Sequence, residues 1–169
     1  MKLKNLTRMG LLSAVALILF TVEAQIPLPV PVPGIKLGLA NIVTIFTVWI
    51  LGPWQGVGVL AVRVFLGAVF SGNFGTIFYS AAGGALAILT TIGLRKILKQ
   101  NQLWICGCLG AVAHSIGQMG AAILLTGTPG LAGYLPIMIA CGIVTGLFTG
   151  MCAQLLVNRG KNFWKTTFR

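Results

Sequence analysis

Six long apolar runs, each close to the length of a bilayer crossing, constrain this chain more than any other feature. They cover residues 9–25, 35–51, 54–70, 76–94, 104–125 and 134–157, with Pro, Gly or Lys/Arg punctuation between them. A crossing takes roughly 20 apolar residues, so 169 residues hold about six with short connections. The runs are too long and too uniformly apolar for barrel strands, whose period-two alternation is absent. The expected fold is an all-α membrane protein: one integral domain over residues 1–169, built as a six-transmembrane-helix bundle. Charged residues make up only 8% of the chain, against roughly 25% in soluble domains, which leaves too little polar surface to clothe a core in water.

The charges that remain are unequal. Twelve Lys or Arg residues face a single acid, Glu23, and there is no Asp. Paired-carboxylate hydrolysis, Mg2+ held by Asp clusters and Ser-His-Asp relays all need acids that are missing here. The chain is therefore expected not to be an enzyme, to have no catalytic or metal-ligating residues and to carry no cofactor. Most cations form three clusters: Lys2, Lys4 and Arg8 before the first run, Arg95, Lys96 and Lys99 after the fourth, and Arg159, Lys161, Lys165 and Arg169 after the sixth. In a six-span chain all three fall on one side. The positive-inside rule makes that side the cytoplasm, so the expectation is a multi-pass cell-membrane protein with both termini cytoplasmic and the lipid bilayer as its surroundings. Trp54, Trp104 and Trp164 fall near the same boundary. Scattered clusters do not make the continuous basic face that nucleic acid requires. The first run also has the outline of a signal peptide, with Val22 and Ala24 at a small-residue cleavage spacing. The uncleaved reading is preferred because it keeps Glu23.

Ten of the twelve cations are thus topological, and the other two, Lys36 and Arg63, lie in the opposite half with the lone acid. Ionisable groups within the membrane cost roughly 2.5 to 3.5 kcal/mol at mid-depth on insertion scales, so those retained usually face a cavity or a partner. Glu23 ends the first run at the outer face, Lys36 opens the second there, and Asn41 lies a little over one turn deeper. Arg63 is past the middle of the third run, while His114 and Gln118 share one face of the fifth. Together they point to a polar pocket open to the outside that takes a small, anionic or amphiphilic molecule. Arg63 is the better anchor because its planar fork matches carboxylate or phosphate, and Lys36 is an electrostatic helper. Pro at every second position from Pro27 to Pro33 forbids helix, and such an extended strap could lie across the mouth of a cavity.

Other motifs read as packing. Gly142, Gly146 and Gly150 repeat at four-residue spacing, as do Gly10 and Ala14, which lets a second helix approach closely. Cys106 and Cys108, two apart on a helix, point away from each other and make no metal site. Gly83 and Gly84 point to tight packing or to backbone approach to a ligand.

The run Pro33-Gly34-Ile35-Lys36-Leu37-Gly38-Leu39-Ala40-Asn41-Ile42 resembles the Gx transporter family, often labelled heptaprenyl diphosphate synthase component I. So do Arg63 in V-R-V-F-L-G, Ser80 to Gly84 as S-A-A-G-G, and Gly110 to Gln118 as G-A-V-A-H-S-I-G-Q. Ser115 departs from the family's H-N-x-G-Q pattern, in which Asn is expected. The family in turn looks like the substrate-binding S components of energy-coupling factor vitamin transporters. That resemblance implies uptake of a vitamin-like, flavin, quinone-precursor or isoprenoid compound. It also implies docking, through Gly10 and Ala14, onto a membrane T subunit with two ATPases, since the chain has no Walker loop of its own. The alternative implied by the family label is a non-catalytic membrane accessory subunit of a heptaprenyl diphosphate synthase. The gathering of cations and amides in the outer half favours binding and transport.

Overall fold

The computed structural model describes residues 3–26 and 38–167. Six α-helices account for most of them: α1 Leu3–Glu23, α2 Asn41–Ile50, α3 Pro53–Ser71, α4 Gly75–Arg95, α5 Leu103–Thr126 and α6 Leu135–Thr167. Single 3-10 segments at Gln100–Gln102 and Pro129–Tyr134 lead into α5 and α6. The chain is an all-α, six-helix, multi-span membrane bundle. Its exterior carries large apolar side chains, among them Ile18, Phe65, Phe78, Leu89, Val144 and Leu155, over a surface that only lipid would solvate without penalty.

Five helices are long and apolar enough to cross a membrane, and α2 is not. At about 1.5 Å per residue its ten residues reach about 15 Å, half of the roughly 30 Å hydrocarbon core. Among the described residues of the expected span 35–51, the helix therefore begins at Asn41. Gly38 explains the late start: its φ of +89° lies in the left-handed region, where the chain cannot continue a right-handed helix. Hydrogen bonds from Asn41 N–H to Gly38 O and from Ile42 N–H to Leu39 O then wind the backbone into α2. Lys36 and the segment Pro27–Gly34 lie outside the described residues. At its other end α2 stops at Gly52, whose φ is +123°, and Pro53 opens α3 at the position where a missing N–H costs nothing.

The short helix is the centre of the bundle. It packs against all five others, while α1, α3, α4, α5 and α6 follow one another around it as successive neighbours. Seven of its ten residues are buried, as expected of a helix that is apolar almost all round. Leu12 and Ala16 of α1, Val43 and Phe46 of α2, Val59 of α3 and Val157 of α6 share one core cluster. Met9 lies beside Gly58 and Phe20 beside Gly67, so α1 runs parallel to α3. The short connections between α3, α4, α5 and α6 make each antiparallel to the next. The described cations Lys4, Arg8, Arg95, Lys96, Lys99 and Arg159 consequently gather at one end of the bundle.

Glycine sets the closest approach. A Cβ on Gly107 would come within 2.1 Å of Gly146 O and 2.5 Å of Gly150 Cα, so α5 and α6 touch backbone to backbone. The repeat at Gly142, Gly146 and Gly150 is thus spent inside the bundle, on α5. Gly83 and Gly84 do the same for α4: a Cβ on the first would meet Gln118 Cγ at 2.7 Å, and on the second Leu60 Cδ1 at 2.7 Å. The pair draws α5 to one side of α4 and α3 to the other.

Candidate binding site at the start of the central helix

The centre of the bundle is polar where α2 begins. Arg63 lies ten residues into α3 and His114 eleven residues into α5, about 15 to 17 Å from the ends where these helices start. Because α2 is only about 15 Å long and descends to the α2–α3 turn, its first residues meet Arg63 at this depth. The close approach of α4 and α5 at Gly83 adds Ser80, His114 and Gln118, and the ring of His114 is held by the Gly83 backbone. Phe20, Glu23, Gly38, Arg63, Ser80, His114 and Gln118 line a common cavity of about 10 Å³. A single water needs about that much room.

Glu23 organises the cluster. It is the last residue of α1, is 3% exposed, and receives the N–H of Gly38 and, at 3.0 Å, the N–H of Leu39. These amides open the turn that feeds α2, so a carboxylate here satisfies donors no helical carbonyl can reach and meets the positive end of the helix dipole. The same carboxylate acts electrostatically on Arg63, itself 3% exposed. One buried anion and one buried cation thus compensate each other, which is the usual condition for keeping either inside a membrane.

Not every polar atom is satisfied in this way. Asn41 is 6% exposed, and both its Oδ1 and Nδ2 lack a hydrogen-bond partner among the described residues, as does Arg63 Nε. Its amide borders the cavity at Gly38, where a Cβ would meet Asn41 Nδ2 at 2.8 Å and His114 Cδ2 at 3.4 Å. Thr44, one turn further along the same face, carries another such atom in Oγ1. The buried hydroxyls of Thr47 and Thr91 differ, each donating to the carbonyl four residues earlier at 2.7 Å and 2.9 Å.

Of the residues singled out in the sequence, Glu23, Arg63, His114 and Gln118 meet in the cavity and Asn41 adjoins it. Lys36 is outside the described residues, so any surplus of positive charge at the site depends on it. Gly10 and Ala14 are remote, exposed on the outer face of α1 with nothing within 4 Å of a Cβ placed on Gly10. Phe20, Gly38 and Ser80 were not foreseen as lining residues. Only Gly38 and Ser80 left a sequence signal, as members of the quoted motifs. Ser115 faces away from the cavity, its Oγ donating to Met138 O on α6 at 3.5 Å. Two roomier hollows are apolar: about 300 Å³ between α3 and α4, and about 220 Å³ between α1, α2 and α6 beside Leu12, Val43 and Leu156. Among the described residues no three His, Cys, Asp or Glu side chains come together.

No curated protein and no solved structure matches the chain. A family model does, over residues 12–156, from the middle of α1 to near the end of the apolar part of α6, so that every described site residue falls within it. The chain belongs to the heptaprenyl diphosphate synthase component I family.

Proposed function

We propose that the chain serves as a non-catalytic membrane accessory subunit in heptaprenyl diphosphate synthesis, working with a soluble catalytic partner. The family match over residues 12–156 carries this reading. The chemistry supports it, because prenyl transfer assembles its diphosphate through Mg2+ on clustered acids and this chain has one acid in all. The test is co-expression with a soluble prenyl diphosphate synthase, followed by affinity purification and analysis of product chain length. Co-purification with a changed product length is expected. Failure of both would refute the reading.

A second reading is favoured by one specific observation: six polar side chains, Glu23, Asn41, Arg63, Ser80, His114 and Gln118, are buried together inside the bundle. An accessory anchor does not need them, and such groups in membrane proteins mark binding and transport paths. In this reading the chain captures a small anionic or amphiphilic molecule from outside. Arg63 and Lys36 hold the anionic part, and Asn41, His114 and Gln118 orient it. Both termini are cytoplasmic, and the exposed Gly10–Ala14 face of α1 docks on an energy-coupling module with a T subunit and two ATPases. Native mass spectrometry after mild extraction tests it. A co-purifying molecule lost in an Arg63→Ala, Lys36→Ala double variant is expected, and retention of that molecule would exclude the anionic pocket.

A further inference from the structure

The capture reading leaves one feature unexplained: the place best suited to a ligand's anionic group already holds an anion. The amides of Gly38 and Leu39 at the leading end of α2 donate to the Glu23 carboxylate, and Arg63 lines the same small cavity and is acted on by that carboxylate's charge. Around the carboxylate are buried groups whose hydrogen-bonding capacity it does not use. Asn41 offers a free donor and acceptor, and Arg63 a free Nε–H, among the described residues. The volume left over is about that of one water.

Resting on the capture reading, we propose that Glu23 is a built-in occupant of an anion site, holding the place of a ligand's carboxylate or phosphate group. The site proper is the Gly38–Leu39 amide pair, Arg63 and Asn41, and the ligand class is a molecule bearing one such group. Entry then requires Glu23 to leave. Glu23 is the terminal residue of α1, so its withdrawal needs no more of the helix than its last turn to unwind. The exchange trades one carboxylate for another anion on the same donors. Arg63 therefore never stands unpaired in the membrane interior, where an uncompensated charge is most costly. An internal competitor also sets a threshold, because only a ligand with additional contacts displaces a group tethered at high effective concentration.

The test uses the full chain in detergent, with thermal unfolding as the readout and with acetate or inorganic phosphate as probe at matched ionic strength. Glu23→Ala empties the seat and should melt below the parent. Acetate, phosphate or both should then raise its midpoint in a saturable way, as a ligand specific to the folded state does. The parent protein and the Glu23→Ala, Arg63→Met double variant should show no such rise. Response to acetate alone marks a carboxylate seat, and response to phosphate alone marks a phosphate seat. Equal shifts in the parent and in Glu23→Ala, or rescue that persists without Arg63, would overturn the proposal. If Glu23→Ala does not fold, Glu23→Gln keeps the shape and removes the charge, and a saturable phosphate response there and not in the parent is the expected result. Its absence counts against the proposal. Failure of the capture reading is separable: rescue without any cell-derived ligand keeps the site and removes capture, whereas a captured ligand without rescue does the reverse.

Discussion

Replacing Gly107 by Ala should loosen the bundle more than any other single methyl. The added Cβ would sit 2.1 Å from Gly146 O, 2.5 Å from Gly150 Cα and 2.6 Å from Gly150 N, all backbone atoms of α6 that no rotamer change can withdraw. Ordinary contact begins at 3.4 Å, so α5 and α6 must part by about 1.3 Å at this point. A gap of 0.5–1 Å already forfeits roughly a quarter to a half of the dispersion energy of the contacts it opens. The Ser115 to Met138 hydrogen bond, at 3.5 Å, would stretch out of range. Overpacking of this kind costs typically about 1–3 kcal/mol, and rigid backbone on both sides places Gly107→Ala at the upper end, about 3 kcal/mol. For a chain of this size that lowers the melting midpoint by roughly 6–12 °C. Gly120→Ala on the same helix is the control, because nothing lies within 4 Å of its Cβ and helix propensity should make it neutral or slightly stabilising. Thermal unfolding of both variants in one detergent decides the matter. A Gly107→Ala midpoint within 2 °C of Gly120→Ala, a spread of roughly 1 kcal/mol or less, would show that the helices are not in backbone contact.

Other consequences are as direct. Arg63→Met should destabilise by roughly 3–5 kcal/mol, since it strands the buried Glu23 carboxylate, while Arg63→Met with Glu23→Gln should cost clearly less than the sum of the singles; additive losses in a double-mutant cycle would show that the two are not coupled. Asn41→Leu should leave the melting midpoint unchanged or raise it, because the amide has no partner among the described residues, and a fall of several degrees would reveal a structural bond. Gly38→Ala combines a left-handed φ of +89° with a 2.8 Å approach to Asn41 Nδ2, so a loss of about 1–3 kcal/mol is expected, measured by the same melts. Val144→Arg, on the lipid face of α6, should cut membrane insertion by about 2.5–3.5 kcal/mol in a glycosylation-reporter assay, whereas normal insertion would place that face against protein.

Much of the architecture was legible because membrane solvation acts on composition. Runs of apolar residues and their Lys/Arg borders located α1, α3, α4, α5 and α6 to within a few residues, save that α1 begins and α6 ends well beyond the predicted limits. Both extensions enter the basic flanks, which hydropathy excludes but helix geometry does not. The second run differs, its described helix being Asn41–Ile50 alone. Its apolar length gave a full span, whereas Gly38 delays the helix and leaves a half-length α2 at the centre. The polar residues were legible as a set because each is costly in lipid, and four of them do share one cavity. What hydropathy could not give was their pairing.

The sequence by itself determined that this is a multi-span α-helical membrane protein, because too few charges and one acid leave no other solvent in which the chain can be buried. It also determined that the chain cannot hold the acid-bound Mg2+ of a prenyl transferase, since missing carboxylates cannot be supplied by folding. Only the tertiary structure decided that α2 packs against all five other helices and that Glu23 is spent on its first amides and on Arg63. The reason is distance in the chain. Glu23, Gly38, Arg63, Ser80 and His114 come from five segments, and which of them touch depends on glycine contacts such as that of Gly83 with His114 and Gln118, which set how closely the helices pass.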